Sequence, residues 1–447
     1  MKPAEFQAPP PPAPIPMMSQ VRVAVIGALM VMLGPISLAM YTPAMPTLVT
    51  AFDTTPAAVK MTLTVFFLGF AFSQLVCGPL SDAFGRRPVA LGFFSVYLLG
   101  SLVATWAPSM GWLIVGRGLQ GIGCAAGIAI SRAIVRDQYA GPASAHIMNL
   151  IGTMLAIGPA VSPTLGGLIL GLAGWHMIFM GMAAYGVVLV VLLAFFVPET
   201  NRARDAALAA PLGIARSYAQ LLADRTFMRA SLVLGGGLGA IYTLSALLPF
   251  VLIQQVGLSP TEFGLAMLVQ TGSFLFGTLV AGRLLKRMSA MAIVPVGLAL
   301  VAAGAVGFGV GLRLLPTVPA TVMAPVGLWA CGIAMLLPGC TTAALAGFPR
   351  IAGAASALMG FMQIGGGFLG TVVAVLFPSP LGALATLVPA MALVALGGHV
   401  LLRPRRAGGP ADAGTVEATD LELAADPLGV VGAAGDEIEA ETYARRN

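Results

Sequence analysis

Long apolar runs dominate the chain, broken at short intervals by small clusters of polar residues. A membrane-spanning helix needs about 20 mostly apolar residues. Runs of that length predict twelve helices, at about 21–42, 58–80, 88–107, 111–134, 143–171, 176–197, 229–252, 262–284, 290–312, 318–344, 352–376 and 381–402. Gly and Pro interrupt the pattern between the ninth and tenth, around Pro316 and Pro319. Only one polar stretch between runs is long, at 199–228, and it splits the twelve into six plus six. The expected fold class is an all-α membrane protein of two six-helix bundles. The first bundle covers 21–198 and the second 229–403, with 199–228 as linker.

The halves echo one another faintly. QLVCGPLSD at 74–82 aligns with TLVAGRLLK at 278–286, each at the end of the second helix of its half. Such parallel repeats are common in secondary transporters.

Charge sets the orientation, because short cytoplasmic loops collect Lys and Arg. One side gathers Lys2, Arg22, Arg86, Arg87, Arg136, Arg202, Arg204, Arg216, Arg225 and Arg229. Arg283, Lys286, Arg287, Arg350, Arg403, Arg405 and Arg406 complete it. The other side shows little beyond Lys60 and Arg313. Both termini are therefore expected in the cytoplasm, which requires an even number of spans. The ends differ in composition. Residues 1–20 form a Pro-rich stretch and 404–447 an acidic one, and both are expected to be disordered cytoplasmic tails.

Composition agrees with a membrane protein. Of 447 residues, 58% are hydrophobic and 9% charged, against about a quarter charged in soluble domains. The net charge of +6 reads as topology rather than nucleic-acid binding. Arg far outnumbers Lys, and Ala and Gly are abundant, as in a GC-rich bacterial genome. Cys77, Cys124, Cys331 and Cys340 are scattered, as are His146, His176 and His399, so no disulfide framework, metal site or cofactor is expected. No catalytic constellation stands out, so no enzyme is expected, and the lack of a G-x-x-x-x-G-K-[ST] phosphate loop disfavours an ATP-driven pump.

Against that scarcity, GPLSDAFGRRP at 78–88 packs Asp82, Arg86 and Arg87 into six residues. The expected place is the turn between the second and third helices. Gly78 would allow close helix packing. Pro79 and Gly85 would end a helix and turn the chain, and Pro88 would open the next. Asp82 can pair with Arg86 or face the positive end of a helix.

This stretch resembles the signature loop of the major facilitator superfamily. The resemblance implies the twelve-helix major facilitator fold and a conformational latch of Gly78, Asp82, Gly85, Arg86 and Arg87. It adds Asp137, in SRAIVRDQY at 131–139, as partner, with contacts between the two halves. RGLQGIGCAAG at 117–127 is similar to the fourth-helix motif of drug exporters, which places Arg117 and Gln120 in a central cavity and in coupling. Arg117 falls about 10 Å inside its helix at about 1.5 Å per residue. IGPAVSPTLGG at 157–167 resembles the exporters' fifth-helix motif through Gly158, Pro159, Gly166 and Gly167, with two residues inserted and Pro159 expected to kink the span. MYTPAMPTL at 40–48, GWHMIFMGMAAYG at 174–186, VPET at 197–200 and LPFVLIQQVGLSPTEFGL at 248–265 are similar to the bicyclomycin- and chloramphenicol-resistance branch, so the resemblance spans about 20–400.

That branch places an acid before the Met-Tyr pair, where this chain has Ala39, and no Asp or Glu lies well inside any expected span. Proton coupling then runs through Asp82, Asp137, Arg86 and Arg117, or it is altered or absent. Depth alone selects Met40, Tyr41, Met154, Tyr242, Gln270, Phe274, Met362 and Gln363 as substrate-binding candidates, with helix packing as the alternative for each. The resemblance implies efflux of small amphiphilic compounds from the bacterial inner membrane, by proton antiport through alternating access. Neutral or anionic compounds suit a site without carboxylates. The expected partners are a drug-like small molecule, protons and the lipid bilayer, with no nucleic acid and a monomeric chain. A metabolite facilitator or uptake carrier, and a non-transporting scaffold, remain as alternatives.

Overall fold

Apolar runs of this length have no way to satisfy their backbone in lipid except as helices, and every one of them is helical. The computed structural model describes residues 16–402 except 140, 202, 203, 205–209, 349 and 350, and several side chains of one helix, α6, and that of Pro211 also lie outside the description. The tails expected at 1–20 and 404–447 therefore lie outside it, apart from residues 16–20.

The helices are α1 (Gln20–Ala39), α2 (Met45–Ala51), α3 (Pro56–Phe84), α4 (Arg86–Thr105), α5 (Met110–Gln138), α6 (Gly141–Ala173), α7 (Trp175–Phe196) and α8 (Pro211–Ala223). They continue as α9 (Arg225–Pro249), α10 (Pro260–Leu285), α11 (Ala290–Val306), α12 (Leu312–Leu314), α13 (Pro319–Ala346), α14 (Ala352–Ala374) and α15 (Pro380–Leu401). Eleven segments are long and apolar enough to cross a membrane among the described residues. The 33-residue α6 takes the twelfth position. No strand occurs among the described residues.

Three departures from the sequence reading have local causes. The second span does not end at 80. It runs to Phe84, so Gly78, Pro79 and Asp82 lie on a helix rather than in a turn. Ser81 Oγ donates to the Gly78 carbonyl at 2.8 Å, and Gly85 N–H closes the final turn on Ser81 O at 3.1 Å. The break falls on Gly85 alone, at φ +105°, and α4 starts at Arg86, two residues before Pro88. The linker contains α8, and the next span starts at Arg225 rather than 229, because the Asp224 side chain caps it by accepting from Phe227 N–H at 2.7 Å. Finally, α9 passes after Pro249 into a wider turn over Phe250–Gln255, where Val256 N–H reaches Val251 O at 2.9 Å. A second such turn, Gly307–Gly311, joins α11 to α12.

Two large apolar cores form, with a small third cluster of Ala281, Ile293 and Met335 in the second half. One is built almost wholly from α1–α7, and the other from α8–α15. They meet along two helix pairs, α3 with α14 and α6 with α10. The echo between 74–82 and 278–286 falls on α3 and α10, at the same end of the molecule, called here the basic end.

Candidate functional site

At the basic end, one network is built around Arg86, of which 8% is exposed. Its Nε donates to Asp137 Oδ2 at 3.0 Å, and its Nη1 donates to Ser81 Oγ at 2.8 Å and to Asp82 Oδ1. Thr200 Oγ1 donates to the same Asp137 oxygen at 2.9 Å. Asn201 Nδ2 donates to Asp82 O at 2.8 Å. The α4 N-terminus is capped by Glu199, whose two carboxylate oxygens accept from Arg86 N–H at 3.0 Å and Arg87 N–H at 3.2 Å. A carboxylate there meets both unpaired donors and the positive end of the helix. It is Glu199, not Asp82, that takes this place. Gly85 is fixed twice over: its φ is left-handed, and a Cβ would stand 2.4 Å from Glu199 Oε2. Arg87 folds back on α7, with Nε donating to Leu193 O at 3.2 Å and Nη2 to Ala194 O.

The polar partners of Arg86 among the described residues come from α3, α5 and the segment after α7, so the network ties the first half to itself rather than to the second. The halves touch nearby through other groups. Tyr218 Oη of α8 donates to Leu75 O at 2.7 Å, Arg132 Nη1 to Ser356 Oγ at 3.4 Å, and Phe72 packs edge-on to Phe361 at 5.3 Å. Gly78 has nothing within 4 Å of where a Cβ would sit, so close helix packing is not its function.

A second network surrounds Arg117 on α5, which is fully buried. Its Nη1 donates to Gln120 Oε1 at 2.7 Å and Ser37 O at 3.2 Å. Gln120 Nε2 donates to Ser101 Oγ at 2.8 Å, and the Ser37 and Tyr97 hydroxyls lie 2.6 Å apart. The guanidinium sits 4.4 Å from the ring centres of both Tyr41 and Phe66. Its Nε and Nη2 have no hydrogen-bond partner. An Arg at mid-span costs roughly 2.5–3.5 kcal/mol on the mildest scale. Two desolvated cation–π contacts of about 2 kcal/mol each offset that without a carboxylate.

The structure thus encloses Arg117 and Gln120 within the first bundle, among α1, α3, α4 and α5, rather than in a cavity between the halves. Tyr41 belongs to the same enclosure: it is fully buried, with Oη 2.7 Å from Thr62 Oγ1 and its ring 5.6 Å from that of Phe179. Met40 also faces inward, toward Gly181 of α7.

Of the other candidates, Tyr242 and Met362 do lie where the halves meet. The Tyr242 ring packs on Phe67 at 5.4 Å, and Met362 lines a cavity of about 540 Å³ between α3, α9, α14 and α15. Phe274 packs against the second core, and Gln270 Oε1 is buried without a partner. Met154 and Gln363 are partly buried on α6 and α14.

The fifth-helix glycines divide as well. A Cβ at Gly166 would meet Met40 O at 2.2 Å, and one at Gly167 would meet Pro260 O at 2.4 Å, so both mark close crossings, the second between the halves. Gly158 makes only ordinary contacts, the nearest 3.7 Å, and the Pro159 side chain lies outside the described residues. Around that second crossing, Thr164 Oγ1 donates to Gly264 O at 3.1 Å, and Lys60 Nζ lies 6.0 Å from the Phe250 ring centre. The halves are therefore in contact at both ends.

This two-core, twelve-position helical architecture is that of a membrane transporter, and known proteins agree. Residues 27–371 match the Major Facilitator Superfamily, and the chain belongs to it. It is 30% identical to multidrug resistance protein D of Escherichia coli over 375 residues, covering 82% of this chain and 92% of that protein. It is 30% identical to a chloramphenicol resistance protein of Pseudomonas aeruginosa over 356 residues, covering 78% and 82%. The resemblance to the drug-resistance branch holds over most of the membrane region. Among solved structures, a partially occluded, inward-open xylose transporter of Escherichia coli superposes with a TM-score of 0.66 at 13% identity, covering 88% of this chain and 99% of that one, a likeness of fold alone. The chain is a multi-pass membrane protein and a transporter, not an enzyme.

Proposed function

We propose that the protein exports small amphiphilic compounds, antibiotics of the phenicol type among them, by proton antiport. Its place is the bacterial inner membrane, as a monomer with both termini and the basic end in the cytoplasm. The bundle α1–α7 rocks against α9–α15 to open one end at a time. The observation that carries this reading is how the halves are joined. At each end they meet through a few rings, single hydrogen bonds and glycine crossings, with no ion pair between halves among the described residues. Such contacts separate at little cost. The strong charge pairs instead stiffen the first half, so that Asp82, Arg86 and Asp137 hold α3, α5 and the segment after α7 as one moving body.

The names of the relatives supply the substrate class, drugs and chloramphenicol in particular. Expressed in a bacterial host stripped of its own exporters, the protein is expected to raise the inhibitory concentration of chloramphenicol and lower its steady-state content in cells. Unchanged values with protein present in the membrane would remove phenicols from the substrate range. One observation favours a facilitator instead: no Asp or Glu is buried within the spans among the described residues.

A further inference from the structure

Antiport needs a group that gains and loses a proton where the two sides alternate. The charged side chains buried among the described residues are Lys60, Arg86 and Arg117. Arginine stays protonated in proteins. Buried phenols and thiols, such as Tyr41, Tyr97, Tyr242, Cys77 and Cys124, reach their deprotonated form only as anions in hydrocarbon. A lysine loses its proton to become a neutral amine, a form that hydrocarbon tolerates.

Position matters as much as type. Lys60 is 4% exposed on the second turn of α3, at the end opposite the basic loops. Its ammonium faces Phe250, at the start of the wide turn that ends α9 in the other half. No carboxylate lies within 4.0 Å of it among the described residues. Around it, α2, α14 and the wide turn carry no ionisable side chain. On α5 the groups are Arg117 and Cys124, on α4 Tyr97 and on α9 Tyr242, and Tyr41, after α1, bonds Thr62 of α3, while Asp53 stands exposed after α2 and Glu262 exposed on the first turn of α10. The remaining charges of α4, α5 and α9 lie toward the basic end.

Resting on the antiport reading above, we propose that Lys60 is the coupling group, which alternates between ammonium and neutral amine as the halves part and close against Phe250. When the outer end is open, Lys60 meets water and binds a proton from that side. When the outer end is closed, as here, it is cut off from that water, and the proton leaves toward the basic end once that end opens. One proton is taken up and the same proton is released, so the step balances without a carboxylate in the spans.

The chain has three lysines, Lys2, Lys60 and Lys286, so ¹⁵N-lysine labelling in lipid nanodiscs gives few side-chain signals, and Lys60→Arg assigns the one of interest. The expected result is that the Lys60 signal passes from ammonium to neutral amine within the pH range over which the protein transports, as a proton carrier needs. Lys60→Arg, which keeps the charge but cannot release the proton, should lower pH-gradient-driven chloramphenicol accumulation about tenfold or more, while gradient-free exchange of labelled chloramphenicol continues. If Lys60 stays an ammonium throughout that range while the wild type still accumulates chloramphenicol, the assignment fails and antiport stands. If Lys60→Arg accumulates as the wild type does, the assignment also fails. A wild type that only equilibrates chloramphenicol removes the antiport reading, and the assignment with it.

Discussion

Replacing Arg86 by alanine will lower both thermal stability and transport rate, more than any other single change at the basic end. The side chain donates to Asp137, Asp82 and Ser81 at once, and 10% of it is exposed. Its loss strands Asp137, whose side chain is 19% exposed, beside Thr200 alone. Breaking a buried charge pair by removing one partner costs about 3–5 kcal/mol. Here the low end applies, because Asp82 is 42% exposed and can be hydrated. Thermal unfolding in detergent and initial transport rates in liposomes test this together. Arg86→Lys should recover only part of both, since an ammonium cannot span Asp137 and Asp82 as a planar fork does. An alanine variant as stable as the wild type would show that the network carries little of the first half's cohesion.

Gly121→Ala will be the more damaging of two outwardly similar glycine changes, the other being Gly78→Ala. A Cβ at Gly121 would stand 2.1 Å from Phe66 O and 2.9 Å from Phe66 C, both backbone atoms of α3. No rotamer relieves that contact, so α3 and α5 must separate. That movement disturbs Phe66, one of the two rings against Arg117. Overpacking costs typically about 1–3 kcal/mol and occasionally more, and a backbone-on-backbone clash belongs at the upper end. Gly78, despite its place in the signature stretch, has open space beside it, so its alanine variant should fold and melt as the wild type does. The comparison is read from the yield of monodisperse protein and its melting temperature. Equal losses in both variants would contradict the packing account.

These two glycines show where sequence reading reaches and where it stops. Apolar run length located the twelve helices, because lipid leaves a chain no other way to satisfy its backbone. The scarcity of charge picked out Asp82 and Arg86, and the family resemblance added Asp137 and Arg117; all four enter networks. Depth along a helix gave no facing. Tyr41 and Met40, chosen with Tyr242, turn into the first bundle while Tyr242 meets Phe67 at the interface between halves. Helix ends were blurred by caps whose partners are not apolar: Thr55 starts α3 by accepting from Ala58 N–H, and Asp224 starts α9. Glu199 capping α4 from more than a hundred residues away was beyond any local pattern. Its one signal was an acid placed directly after a span on the side that otherwise gathers arginine.

The account stands or falls on proton-driven export. The direct test uses the purified full-length protein in liposomes with an imposed pH gradient, following labelled chloramphenicol. Accumulation against its own concentration, which collapses when the gradient is dissipated, is the predicted result. Chloramphenicol that only equilibrates, at a rate indifferent to the gradient, would contradict it and leave a facilitator built on the same fold.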